Sequence, residues 1–342
     1  MFVRPSHQPR MPYREIPQLQ ELYRQFMERL EHAEDGREPR GLYEPIEYIL
    51  SIGGKRIRPL LALIAARMFG DGIDAPAGMP VALAVEVFHN FTLLHDDIMD
   101  QSPLRRGRPT VHRKWDVNTA ILSGDLMLIQ AYGYLSGLPD PSRIPVILET
   151  FNRVATGVCE GQQFDVDFER QSHVTIEEYL KMIELKTAVL LGGALEMGAL
   201  AAGASREDAD HLYAFGRLTG LAFQLHDDLL DTFGNEELTG KLTGNDIIRN
   251  KKTFLYIKAL EALNDREQKE LIDWFSHSPD DPAPKVARVT EMMRLQGIPK
   301  LVGDMRDEFQ RDAEAHLAAV GGDDRWKETL RAVTQALLQR AS

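Results

Sequence analysis

Six residues occur twice in this chain in nearly the same form. His95-Asp96-Asp97-Ile98-Met99-Asp100 returns as His226-Asp227-Asp228-Leu229-Leu230-Asp231, 131 positions later. On a helix, residues four apart lie over one another on one face. Asp96 therefore stacks with Asp100, and Asp227 with Asp231, with Asp97 or Asp228 alongside. Like charges at that spacing cost a helix about 0.2–0.5 kcal/mol per pair unless something neutralises them. Both copies fall at the C-terminal end of an apolar helical run, where the helix's own partial charge is negative and disfavours carboxylates further. Divalent cations remove the difficulty. Mg2+ is the natural candidate, because it takes oxygen ligands and spans one or two carboxylates and substrate phosphates. The plainer reading, two solvated acidic faces, does not account for a pattern repeated inside hydrophobic sequence.

Cations cluster near these carboxylates, which is informative in an acidic protein. Gly53-Gly54-Lys55-Arg56-Ile57-Arg58-Pro59 sets three of them at a helix start behind flexible glycines. Backbone N–H groups there, with Lys and Arg, suit a diphosphate. Arg105, Arg106 and Arg108 follow the first acidic signature; Lys241, Lys251 and Lys252 follow the second. Lys186 interrupts an apolar run from Met182 to Leu191. Each alone is explained by a solvated loop or a snorkelling lysine, but their joint placement is not. Two anion environments emerge, one bridged by metal and one made directly by Lys55, Arg58 and Arg106. Other chemistries lack their residues. Gly53-Gly54-Lys55 has neither the spaced glycine nor the following Ser/Thr of a Walker loop. The histidines are not spaced as zinc ligands, and no Ser-His-Asp or Cys-His arrangement is evident.

The elements that must position these groups read as helices. Apolar residues recur with helical period over roughly 17–33, 43–52, 58–69, 79–100, 115–137, 142–168, 175–202, 205–232, 246–263, 265–276, 283–296, 298–319 and 323–340, and strand alternation is nearly absent. Thr175 with Glu178 forms a capping-box pattern, and Ser205 with Asp208 resembles one. His89 falls two turns before Asp96 on its side, and Gln224 one turn before Asp227 and Asp228. Residues 1–16, with three prolines, read as a flexible N-terminal arm, and 17–342 as a single all-α domain in which two helices face each other with their acidic ends. Across 342 residues, 40 Lys and Arg against 52 Asp and Glu leave a net charge of −12, which argues against nucleic-acid binding. The single cysteine, Cys159, excludes an internal disulfide framework and fits a reducing compartment. No signal-peptide core and no stretch of ~20 uncharged apolar residues is present, so a cytoplasmic protein with no transmembrane segment is expected.

In order along the chain, these motifs resemble those of the trans-isoprenyl diphosphate (polyprenyl) synthases. The carriers are Gly53–Pro59; Glu86-Val87-Phe88-His89 with Leu94–Asp100 and Arg105-Arg106-Gly107; Gly161-Gln162-Gln163-Phe164-Asp165; Phe223–Asp231; and Gly240–Asp246. One departure stands out: Asn250 and Leu255 occupy places where the family usually has glycine and proline, leaving open whether Lys251 or Lys252 reaches phosphate. The resemblance implies a large helical bundle of the isoprenoid synthase type around a deep central cavity, working as a homodimer. It implies isopentenyl diphosphate on Lys55, Arg58, His89 and Arg106. The allylic diphosphate (dimethylallyl, geranyl or farnesyl) would meet Arg105, Lys186, Thr187, Gln224, Lys241 and Lys251. Several Mg2+ ions would bridge it to Asp96, Asp100 and Asp227, supported by Asp97, Asp228 and Asp231.

The expected reaction is ionisation of the allylic C–O bond, condensation with isopentenyl diphosphate and proton loss, in which Asp96, Asp100, Asp227, Lys186 and Lys241 are the catalytic residues. Phe91, with Thr92 beside it, stands where the family controls chain length. A bulky residue there implies a short-chain product, geranylgeranyl (C20) or farnesyl (C15) diphosphate, the alternative being a longer-chain synthase. A terpene cyclase has no use for Lys55 and Arg58, an inert partner subunit need not keep every aspartate, and a His-Asp phosphohydrolase needs more metal-binding histidines.

Overall fold

The computed structural model of the chain describes residues 16–31, 36–70, 77–234 and 243–338. Most of the expected N-terminal arm, residues 1–15, and Lys241 lie outside these residues. The described chain is all-α. In order it forms α1 (Pro17–Glu31), α2 (Arg40–Ser51), α3 (Ile57–Phe69), α4 (Gly78–Met99), α5 (Val111–Lys114), α6 (Val117–Ser136), α7 (Ile144–Arg170), α8 (Ile176–Ile183) and α9 (Val189–Ala201). Then come α10 (Arg206–Phe233), α11 (Asn245–Ile248), α12 (Phe254–Ala262), α13 (Asp265–Ser276), α14 (Ala283–Leu295), α15 (Ile298–Ala319) and α16 (Asp324–Leu338). A hairpin of two-residue strands, β1 (Leu104–Arg105) and β2 (Arg108–Pro109), pairs antiparallel between α4 and α5. Its turn carries Arg106 at φ +51° and Gly107 at φ +75°, the two positive values that a tight hairpin needs to match strand twist.

The sequence periodicity marks the helices well and their interruptions poorly. The expected helix 115–137 starts afresh at Val117, because the Asp116 side chain accepts from Thr119 N–H and caps it. The run 175–202 opens with the expected capping box, then widens into a π-turn over Glu184–Ala188. The run 246–263 breaks at 249–253, where Asn250 turns to φ +58°. At Ser205 the hydroxyl accepts from Asp208 N–H and donates to its carboxylate, which in turn accepts from Gly321 N–H.

Contacts divide the chain into two compact units. The first takes the residues up to Phe151, Ala194–Ala209 and Gly321–Val333. Its centre is α3, apolar on every side and buried from Leu60 to Ala66, together with α4 from Val81 to Phe88. A helix hydrophobic all round belongs inside, and each fully buried leucine or phenylalanine there contributes roughly 1.5–3 kcal/mol. The backbones approach closely: a Cβ on Gly198 would lie 2.2 Å from the Ala62 carbonyl oxygen, and one on Gly124 would lie 2.3 Å from His95 Nε2.

The second unit takes Asn152–Gly193, Asp210–Val320 and the residues from Thr334. Its core joins Phe168, Tyr179, Ile183, Leu225, Ile247, Phe254, Val289 and Val302, drawn from seven helices. The α13 start is held by a second capping box, Asn264 with Glu267.

Candidate active site

In the first unit the loop Ile52–Arg56 and the N-terminus of α3 meet the middle of α4. Gly53 and Gly54 have φ of +92° and +139°, and Arg56 follows at +53°. The chain thereby turns Arg56 inward, where it is 4% exposed and pairs with Glu86, itself bonded by Asn90. Arg56 also donates to the Leu50 carbonyl. Of the three clustered cations, this one is internal structure. Lys55 is half-buried on the loop. Arg58 donates from Nη1 to His89 Nε2 at 3.1 Å, which makes that nitrogen an acceptor and leaves the ring proton to Nδ1. Arg106 reaches back from the hairpin turn and donates to the Gly53 carbonyl. A Cβ on Gly54 would lie 2.6 Å from the Arg106 guanidinium, so a glycine is needed under it.

The electrostatics of this corner follow from crowding of like charge. Burial, then Arg58, Arg106, Arg105 and Arg56, hold the His89 imidazole well below its ordinary pKa. Burial and Arg106, opposed by Glu86, pull Arg58 down to about 10. Arg58 alone bonds the imidazole; the other three guanidiniums act on it through their charge. Arg56 and Arg105 are already paired with Glu86 and Asp97, whereas Arg58 and Arg106 bond the neutral His89 ring and the Gly53 carbonyl. An anion entering beside those two is favoured, and Arg forks match phosphate oxygens.

The first acidic signature ends α4 as expected. Asp96 and Asp100 lie one turn apart, the Asp100 N–H donating to the Asp96 carbonyl, and both are partly exposed. Asp97 points elsewhere. It is 3% exposed and accepts two bonds from Arg105, at 2.7 and 2.8 Å. Arg105 Nη2 also comes within 3.7 Å of Asp96. Asp97 thus holds Arg105 against the acidic turn. Phe91 packs edge-on against His95 at 4.7 Å and lies tilted against Phe88 at 5.7 Å, and Phe88 continues to Phe151. Thr92 donates to the His89 carbonyl.

In the second unit, Asp227, Asp228 and Asp231 end α10. Asp228 is buried and accepts from Tyr179 O–H and, at 3.2 Å, from Gln224 Nε2. Burial and the neighbouring carboxylates Asp246 and Asp227 push it up to about 8, against those two hydrogen bonds. Asp231 accepts from Asp246 N–H at 2.8 Å through its side chain, and its carbonyl accepts from Gly244 N–H. Lys251 Nζ lies 3.9 Å from Asp246. Lys252 donates to the Phe168 carbonyl at 2.9 Å, which ties it to the end of α7.

Lys186 and Thr187 lie in the π-turn, a distortion frequent at functional sites. Lys186 Nζ donates to Asp165 at 2.5 Å. A Cβ on Gly161 would sit 2.2 Å from the Lys186 backbone nitrogen, so Gly161 lets α7 pass against the bulge and Asp165, one turn on, orients the lysine. Sequence reasoning quoted the segment Gly161–Asp165 without finding that role. It missed Tyr179 entirely, 49 positions from its partner.

Among the described residues, no three His, Cys, Asp or Glu side chains converge as a ready-made metal cage. The carboxylate pairs at the ends of α4 and α10 offer only oxygen donors, which fits Mg2+ completed by water and phosphate and does not fit zinc. No helix of the described residues is long and apolar enough to cross a membrane.

Residues 39–293 match the family model of polyprenyl synthetase. A geranylgeranyl diphosphate synthase of Methanosarcina mazei is 44% identical over 65% of this chain and 68% of its own length. A short chain isoprenyl diphosphate synthase of Methanothermobacter thermautotrophicus is 35% identical over 92% of this chain and 94% of its own. A crystal structure of a geranylgeranyl pyrophosphate synthase superposes with TM-score 0.88 at 44% identity, covering 95% of this chain and 99% of the other. The polyprenyl synthase of Caulobacter crescentus, complexed with calcium and isoprenyl diphosphate, gives 0.83 at 29% identity over 98% and 100%. On this evidence the chain belongs to the polyprenyl synthetase family and is an enzyme of the trans-isoprenyl diphosphate synthase kind.

Proposed function

We propose that the enzyme extends dimethylallyl, geranyl or farnesyl diphosphate with isopentenyl diphosphate to a short-chain product, geranylgeranyl diphosphate first and farnesyl diphosphate second. The observation that carries this reading is the convergence of Arg58, Arg106 and neutral His89 with Lys55 close by, an anion pocket that needs no metal. A second diphosphate site with metal then has its own residues. Asp96, Asp100 and Asp227 hold Mg2+, while Arg105, Lys186, Thr187, Gln224 and Lys251 bind and orient the allylic diphosphate. Between the two lysines the reading takes Lys251 as the phosphate contact, supported by the bond that Lys252 makes to the Phe168 carbonyl. Asp97, Asp228 and Asp231 position Arg105, Gln224 and the loop before Lys251. Lys241 completes the allylic set on the resemblance alone.

Bound Mg2+ supplies positive charge to the departing diphosphate. The lysines and Arg105 add preorganised donors where oxyanion charge grows as the C–O bond breaks. The double bond of isopentenyl diphosphate, held on its separate cation pocket, attacks the allylic cation, and the proton lost passes to the released diphosphate. Joint fixation of two substrates contributes up to about 7–11 kcal/mol. The enzyme acts as a cytoplasmic homodimer. Pure protein incubated with Mg2+, labelled isopentenyl diphosphate and each primer should yield C15 or C20 product, and chelation should abolish it. Asp96→Ala and Asp227→Ala should each lower turnover about 10²-fold or more. Cyclised product without isopentenyl diphosphate, or wild-type turnover in both variants, would sink the reading.

A further inference from the structure

Lys285 is placed where a cation is least expected. It is the third residue of α14, at the positive end of the helix dipole, and it is fully buried. Its partners are neutral: Nζ donates to Asn250 Oδ1 and, at 3.0 Å, to the His277 carbonyl, and it stands 5.3 Å from the Phe275 ring centre. Burial lowers its ammonium pKa. A methionine would fill the same space without that penalty, so packing does not explain the charge.

Asn250 supplies the reason. It adopts φ +58°, a left-handed conformation natural to glycine and tolerated by asparagine. Its amide also donates to Ser278 Oγ at 3.3 Å, so both ends of the side chain are gripped from the segment that joins α13 to α14 and from α14 itself. The next residue is Lys251, whose N–H donates to the Asp246 carbonyl at 2.9 Å, and Asp246 N–H is bonded by Asp231 at 2.8 Å. A continuous chain of bonds therefore runs from Lys285 through Asn250 to the turn that carries Lys251 beside the acidic end of α10.

We propose that Lys285 is a positioning residue for the allylic diphosphate: by clamping Asn250 in its left-handed turn it sets where Lys251 meets phosphate. The inference rests on the reading above that Lys251 takes that substrate. In this chain the clamp does for asparagine what the bare backbone does for glycine.

The test measures KM for the allylic primer and for isopentenyl diphosphate separately, with circular-dichroism melts as a check on folding. Lys285→Met and Asn250→Ala should each raise the primer KM about tenfold and leave the isopentenyl KM within about twofold. Asn250→Gly placed in the Lys285→Met background should return the primer KM to within about threefold of wild type, because glycine holds the turn unaided. If Lys285→Met fails to fold, Asn250→Ala carries the same test. A wild-type primer KM in the folded variants, an equal rise for both substrates, or no recovery with glycine overturns the proposal. Wild-type protein inactive with every primer would instead overturn the functional reading on which it stands.

Discussion

Replacing Arg56 by methionine separates a buried structural cation from the neighbours proposed to bind substrate. Arg56 and Glu86 have side chains 2% and 4% exposed, and each is the other's counter-ion. Removing one member of such a pair leaves an uncompensated charge and costs about 3–5 kcal/mol. Asn90 still donates to Glu86 at 2.9 Å, which favours the lower end. With an unfolding entropy of about 2.1 cal/mol/K per residue, a loss of about 3 kcal/mol lowers the Tm by about 4 °C if the 342 residues melt together. If the first unit melts alone, the shift is about 8 °C. Scanning calorimetry of wild type, Arg56→Met, and Arg56→Met with Glu86→Gln resolves both cases. The double variant should recover at least half the loss, since glutamine keeps the Asn90 bond and removes the stranded charge. A melting point within about 1 °C of wild type combined with a large rise in isopentenyl KM would make Arg56 a ligand and refute the assignment.

Three further outcomes follow from the geometry. Gly161→Ala drives a methyl to 2.2 Å from the Lys186 nitrogen; displacement of the π-turn by about 1 Å should reduce kcat/KM about 10²-fold, and wild-type kinetics would show that the bulge yields freely. His89 is held neutral in the fold while its unfolded pKa is ordinary, so the unfolded chain takes up the proton first. Its contribution to stability is complete above about pH 6.5 and declines as pH falls, by up to about 1.4 kcal/mol per unit. His89→Gln should therefore flatten the urea-stability curve between pH 6.5 and 5, and parallel curves for the two proteins would contradict it. Phe91→Ala removes the ring between Phe88 and His95 and should lengthen the product by one or more isoprene units on chromatography; unchanged lengths would exclude Phe91 as the stop.

Much of this could be read directly from residue order. Helical period located α1, α3, α4, α10 and α15 to within a residue or two, because each has a long apolar stripe or is apolar all round. What escaped was local. The π-turn has no compositional mark, and the flush passage of Gly161 against it is visible only in three dimensions. Asp97 and Arg56 were grouped with their neighbours by charge, yet one residue of offset on a helix or one left-handed φ turned them into buried partners of Arg105 and Glu86. Asn250 was recognisable as a departure from the family, but its compensation lies 35 positions later in Lys285, a distance over which a single sequence offers no link.

The widened turn at Glu184–Ala188 has a consequence for the residues on either side of it, from Ile176 to Gly193. A loop closed i to i+5 is an α-helix holding one surplus residue, and one residue corresponds to about 100° of rotation. Without it, everything downstream would be out of phase. Gly192 would no longer meet Tyr213, nor Gly193 meet Val154, both contacts with no room for a side chain. The bulge thus acts as a one-residue phase adjuster, reconciling the direction Lys186 must face with the direction two tightly seated glycines must face. Excising a single amino acid there should be far more damaging than exchanging one.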